Sequence, residues 1–266
     1  MRDITIGQYI NGDSPIHRLD PRIRLILTLA YIIILFIFKN LWQMAFALIM
    51  VLACYKVVKI PFKMLVKSLK PIIPIVLFTS ILNMFFVAGD PLVEIGRFTI
   101  TKQGLYYAVM LSLRVICLLA GSSLLTYTST PIELTSALES LFKPLSKIGL
   151  PVNDLAMMMT IALRFIPTLL EETDKIMAAQ KSRGANLDTG TVFERIKALT
   201  PILIPLFVSA FRRADELALA MECRCYNGGE GRTRLKSLKI QQRDIVAVIV
   251  FIAFCIILVS IGKVSS

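Results

Sequence analysis

The chain is short of acids, nearly without histidine, and lacks a phosphate-binding glycine loop. Its 266 residues hold 18 Asp and Glu against 30 Lys and Arg, with one histidine and five cysteines. No GxxxxGK(S/T) loop occurs, so the chain is not expected to hydrolyse ATP itself. Zinc-finger spacing, an RNP motif and a dense basic run are also missing, which argues against nucleic acid as the partner of the positive charge. Of the cysteines, Cys54, Cys117 and Cys255 lie in apolar runs, where a thiol packs as a small hydrophobe. Cys223 and Cys225 lack the further His or Cys that would complete a zinc set. No cleavable leader is read, because the first residues are polar and include Asp3, Asp13 and Asp20. His17 stands beside Arg18 and Asp20 and is read as packing the N-terminal segment rather than moving protons.

What is present is apolar surface. Hydrophobic residues make up 56% of the chain and the mean hydropathy is +0.71, too high for an ordinary soluble domain. The formal net charge is nevertheless +12, so apolar and basic residues must be segregated. Membrane proteins do this by keeping Lys and Arg in cytoplasmic loops.

Five apolar runs, 25–38, 41–58, 71–88, 105–127 and 245–261, predict five transmembrane helices. The first two form a tight helical hairpin interrupted by Lys39 and Asn40; Arg22, Arg24, Lys56 and Lys59 can snorkel to extend their reach. Residues 56–70 are a basic loop with five lysines, and 89–104 a turn-rich loop. The N-terminal segment carries Arg2, Arg18, Arg22 and Arg24. Lys39 alone is in the next loop, and Arg97 and Lys102 are in the third. This alternation predicts a cytoplasmic N-terminus, and so a cytoplasmic segment 129–243, which holds more than half of the basic residues. The chain thus divides into 1–128, 129–243 and 244–266. Arg114 falls inside the fourth run. It is either a polar contact within the bundle or to another subunit, or an arginine nearer the interface than the run suggests.

Segment 129–243 is amphipathic. A short helix starts near Thr130 with Pro131 in its first position. A long one follows from Asp154 to Ser182, with Asn153 as N-cap and apolar residues every three or four positions. A second runs from about Val192 to Tyr226, with Pro201 and Pro205 expected to kink it. Each ends alike: Ser182-Arg183-Gly184 closes the first, and Cys223-Arg224-Cys225 the second, with Gly228 and Gly229 just beyond. Small neighbours admit the backbone to a groove, where a guanidinium can bond a carboxylate in bidentate fashion. The plainer role of such an arginine is to complement the helix dipole. Two of them, on two unusually long helices, point instead to a pair of docking pegs. Glu171, Glu172 and Asp174 are read as a solvated face rather than a magnesium site.

Three stretches resemble the transmembrane T component of energy-coupling factor (ECF) transporters. "GDSPIHRLDPRIRLIL" is similar to the family's entry motif, with Ser14, His17, Leu19, Asp20, Pro21 and Arg22 in matching places. "ALRFIPTLLEETDKIMAAQKSRGA" and "FRRADELALAMECRCY" resemble its two coupling-helix motifs. The resemblance implies an all-α integral membrane protein of about five transmembrane helices, plus a cytoplasmic coupling domain of one short and two long helices. It implies a non-catalytic subunit with no cofactor of its own. Two ABC-type ATPase subunits would hydrolyse ATP, each gripping Arg183 or Arg224, and a membrane-embedded S component would bind a vitamin or other micronutrient. The family's short motif is usually Ala-Arg-Gly; the second copy here departs from it with a cysteine on each side of Arg224. The rival is a stand-alone secondary transporter, which would show paired repeats with broken helices and midplane polar groups. The dissimilar halves of this chain do not supply them.

Overall fold

The computed structural model describes residues 9–38, 40–95, 98–185, 191–228 and 240–264. Arg2, Asp3, Lys39, Arg97 and Gly229, used in the reading above, lie outside these. The described residues form two compact units, 1–137 with 236–266, and 138–235.

The first unit is a helical membrane bundle. Helices α1 (Pro21–Ile37) and α2 (Leu41–Val58) form the expected hairpin. The Asp20 side chain caps α1 by accepting from the Arg22 amide at 2.9 Å, and Pro21 occupies the first turn, where no amide is needed. Helices α4 (Ile73–Phe86), α5 (Lys102–Thr128) and α9 (Gln242–Val264) supply the remaining expected spans. By length and composition α2, α5 and α9 can each cross a bilayer. Helix α1 has only 17 residues, yet packs against both α5 and α9.

The core lies where α1, α2, α5 and α9 meet, around Leu35, Met44, Tyr55, Cys117, Ala120 and Leu258, all fully buried. Phenol groups bind carbonyls across it: Tyr31 donates to Cys117 O at 3.4 Å and Tyr55 to Ala120 O at 3.0 Å. Small residues permit this approach. A Cβ on Gly121 would stand 2.6 Å from the Tyr31 ring, so only glycine fits there. Gln43 joins the α1–α2 turn to α9, accepting from the Asn40 amide and donating to Leu258 O at 3.0 Å.

The polar N-terminal segment is pinned to the bundle. Ile10 N donates to Tyr127 O, and the His17 ring bonds Ser14 Oγ at 2.8 Å and Ile10 O at 3.0 Å. His17 therefore packs this segment, as expected. Arg18 bonds Asp13 and holds that carboxyl below the usual carboxylate range. Asp244, at the start of α9 and 1% exposed, accepts from the amides of Asp20 at 2.8 Å and Gln241 at 2.7 Å.

Two expected loops are structured. Within 56–70, Phe62–Leu69 forms a helix, α3, because Phe62, Leu65, Val66 and Leu69 fall at helical spacing and bury Leu65. It meets α4 at a bend of 59°. Lys63 and Lys67 thus lie on an amphipathic helix rather than in a loop, while Lys56 is in the last turn of α2 and Lys59 and Lys70 stand at helix ends. Within 89–104, β1 (Pro91–Ile95) and β2 (Phe98–Thr101) pair antiparallel, built from β-branched and apolar residues. Thr101 then caps α5 by accepting from the Gly104 amide at 3.0 Å, three residues earlier than the apolar run suggested.

Helix α6 (Pro131–Phe142) begins in a capping box: Thr130 Oγ1 accepts from the Glu133 amide and Glu133 accepts from the Thr130 amide. Arg24 reaches this point from α1, bonding Thr128 O, Ser129 Oγ and Glu133. A 3₁₀ turn, 143–148, ends at Gly149, and two 31-residue helices follow, α7 (Val152–Ser182) and α8 (Val192–Glu222). Asn153 is not the N-cap of α7. The helix starts one residue before it, behind Pro151, whose ring fixes the entering backbone. The first 18 residues of α7 are apolar enough to pass as a membrane span, but at a mean hydropathy of 1.2 against 3.2 for α9. Their polar positions recur on one side and the C-terminal half is charged, so we read α7 as amphipathic, like α8.

Candidate functional site

The two arginine tips close in the same hydrogen-bond pattern. At the end of α7 the Gly184 amide donates to Lys181 O and the Ala185 amide reaches back to Gln180 O, each at 3.0 Å. This is a Schellman motif, with Arg183 as the C-cap residue and Gly184 left-handed at φ +84°. At the end of α8 the Cys225 amide donates to Glu222 O at 2.8 Å, and the Tyr226 amide to Met221 O at 3.0 Å. The same motif results, with Arg224 as the C-cap residue and Cys225 left-handed at φ +56°. The sequence reading closed the helix on Cys223-Arg224-Cys225. The residue that turns the chain is Cys225 itself, a position that favours glycine by about 1 kcal/mol.

All six residues, Ser182, Arg183, Gly184, Cys223, Arg224 and Cys225, are exposed. Ser182 Oγ is occupied by Ala178 O at 3.0 Å. Among the described residues neither guanidinium has an acceptor. Each therefore stands beside carbonyls already closed by the motif, with its five donors open to a partner.

The two helices pass each other in opposite senses. Glu172 on α7 pairs with Arg213 on α8 at 2.9 Å. Further along α7, Gln180 Nε2 donates at 3.4 Å to Pro201 O, which lies earlier on α8. That carbonyl is available because Pro205, one turn on, has no amide to fill it. The prolines thus mark a contact point, and α8 continues through them. The ion pair lies equally far upstream of both arginines. At 1.5 Å per residue each tip extends about 16 Å beyond it, and in opposite directions. The structure therefore does not bring the two motifs together; it holds them apart. Glu172 belongs to this crossing, and the described residues contain no group of three His, Cys, Asp or Glu able to hold a metal.

An unpaired apolar face accompanies the tips. On α8, Leu199, Leu203, Ile204, Phe207, Val208 and Phe211 fall on one side and are all exposed. On α7, Leu155, Met158 and Met159 are exposed too. Such a stripe requires a cover.

Arg114 makes a polar contact inside the bundle at the level where α1 ends. Its Nη2 donates to Phe38 O at 2.7 Å, the carbonyl just past the end of α1, and its guanidinium lies 6.0 Å from the Phe36 ring centre. The arginine ties α5 to the α1 terminus. Arg24, expected to snorkel to the headgroups, is instead 5% exposed and bonds the α5–α6 turn, and Asp244, which holds the N-terminal segment through the Asp20 amide, was missed. Its only signal was a charge at the very edge of an apolar run.

A family model, CbiQ, described as "Cobalt transport protein", matches residues 12–235. Curated relatives named "Energy-coupling factor transporter transmembrane protein EcfT" align along nearly their whole length. That of Clostridium kluyveri is 52% identical over 249 residues, 93% of this chain and 92% of its own. That of Thermosediminibacter oceani is 50% identical over 94% of both chains. That of Bacillus subtilis is 47% identical over 95% of this chain and 97% of its own.

Proposed function

We propose a role for this chain from its family: it belongs to the transmembrane components of energy-coupling factor transporters. It is a multi-pass membrane protein and a transporter component by kinship. Beyond that, we propose that it couples two ABC-type ATPase subunits to a separate substrate-binding S component.

The observation that carries the reading is the pair of matched tips. Arg183 and Arg224 take the same C-cap position in the same motif, stand on opposite sides of the α7–α8 crossing, and have no acceptor among the described residues. Two like sockets on two like subunits fit this arrangement better than one partner spanning both. The bidentate geometry of arginine suits a carboxylate in each socket. On this reading, segment 129–243 is cytoplasmic, the chain binds no cofactor, and ATP is hydrolysed by the partners.

Drawing the ATPases together would move the two tips towards each other. Because the helices are held at the Glu172–Arg213 crossing, that movement becomes a change in their crossing angle. The apolar face of α8 would turn with it, and the S component, seated on that face, would tilt and release its solute inward.

The experiment is co-purification and uptake with Arg183→Glu/Arg224→Glu. Loss of both ATPase subunits, or ATP hydrolysis without uptake, is expected. Unimpaired uptake by this variant overturns the reading, and transport by the purified chain alone would establish a secondary transporter instead.

A further inference from the structure

We propose that the groove beside the C-terminal end of α2 binds an anionic phospholipid. The groove holds about 560 Å³ and is lined by Ile49, Leu52, Ala53 and Lys56 along one side of α2, with Lys59 and Phe62 beyond. The α2 residues in it share a face of the helix away from the one that buries Met44, Ala47, Val51 and Tyr55. It is therefore open on the outward side of a membrane-spanning helix, where lipid is the neighbour present at highest concentration. From Ile49 to Lys56 the helix rises about 10 Å. That stretch passes from purely apolar lining to two ammonium groups, matching an acyl chain below a phosphate.

Charge supports the same occupant. No acidic residue occurs between Asp20 and Asp90. Lys56 and Lys59 are exposed and have no ionic partner among the described residues. Lys63, Lys67 and Lys70 continue the positive field along α3, whose exposed Phe62 and Val66 suit an amphipathic helix lying in a headgroup layer. Its bend of 59° from α4 fits an interfacial segment leading into a span.

Backbone strain supplies an independent observation. Helix α2 ends in a Schellman motif, with the Ile60 amide on Tyr55 O and the Lys59 amide on Lys56 O, each at 3.2 Å. Lys59 takes the left-handed position at φ +61°. Glycine is the favoured residue there, and among the described residues only Lys59 and Cys225 adopt positive φ without being glycine. Placing lysine at this point sets its side chain in the groove at a conformational cost, a mark of function rather than of stability.

The test is native mass spectrometry of the full chain in detergent, titrated with palmitoyl-oleoyl phosphatidylglycerol or the matching phosphatidylcholine. Phosphatidylglycerol should be retained preferentially. At roughly fivefold per lysine, Lys56→Gln/Lys59→Gln should weaken it about thirtyfold. Lys67→Gln/Lys70→Gln, whose lysines do not line the groove, should weaken it less. Lys59→Gly guards against a merely unfolded variant: it should raise the melting temperature while lowering affinity about fivefold. Equal retention of the two lipids, an unchanged Lys56→Gln/Lys59→Gln variant, or the same loss in Lys67→Gln/Lys70→Gln would each overturn the proposal. Displacement of the lipid by millimolar inorganic phosphate would overturn it in favour of a free-anion site.

Discussion

Exchanging the left-handed residues at the two tips should have opposite effects. Gly184 has φ +84°, and a Cβ built there meets nothing within 4 Å. Gly184→Ala therefore carries only the backbone cost of the left-handed region, about 1 kcal/mol. Cys225 already bears that cost at φ +56°, and Cys225→Gly relieves it by about the same amount. Either change acts on the last turn, where about 1 kcal/mol alters the frayed population roughly fivefold. Amide hydrogen exchange on the purified chain reads this at two positions, the Ala185 amide on Gln180 O and the Tyr226 amide on Met221 O. Protection at Ala185 should fall about fivefold in Gly184→Ala, and at Tyr226 rise about fivefold in Cys225→Gly. With Arg224 unchanged, Cys225→Gly should keep the proposed ATPase partners in a pull-down. Reduced Tyr226 protection in Cys225→Gly, or none lost at Ala185 in Gly184→Ala, would refute the matched-motif reasoning.

Three further outcomes follow from the packing. Gly121→Ala drives a methyl into the Tyr31 ring and should destabilise the bundle by about 1–3 kcal/mol, lowering the melting temperature in detergent; adding Tyr31→Ala should recover part of it. Asp244→Ala leaves the Asp20 and Gln241 amides without their acceptor and should cost about 1–3 kcal/mol, with N-terminal proteolysis rising before the bundle melts. Arg24→Met removes three bonds at the α5–α6 turn and should lower the melting temperature further, with Glu133→Gln having the smaller effect because Glu133 is part-exposed.

The long elements were legible because their signals are long. Continuous apolar runs placed α1, α2, α4, α5 and α9, and three-to-four-residue spacing placed α7 and α8. Both arginine tips were legible from a cation between small residues at the end of each helix. What escaped was short or tertiary. The lysines of α3 read as a loop because charge hid the Phe62, Leu65, Val66, Leu69 spacing. The β1–β2 hairpin is only nine residues of strand, and turn-forming neighbours masked it. Asn153 has the chemistry of a cap, but Pro151 had already set the backbone. Nothing local marks Cys225 as left-handed; that follows from how the backbone closes α8. The register of α7 on α8, which pairs Glu172 with Arg213 and Gln180 with Pro201 O, is a tertiary match that no periodicity reports.

Helix α1 is shorter than its surroundings. Its 17 residues reach about 25 Å, while the hydrocarbon layer measures about 30 Å. Arg114, bonded to the carbonyl at its far end, marks a polar level that acyl chains avoid. A bilayer meets a span this short by thinning locally, by flanking side chains reaching to the headgroups or by association with a neighbour, each at a cost of fractions of a kcal/mol per Å of mismatch.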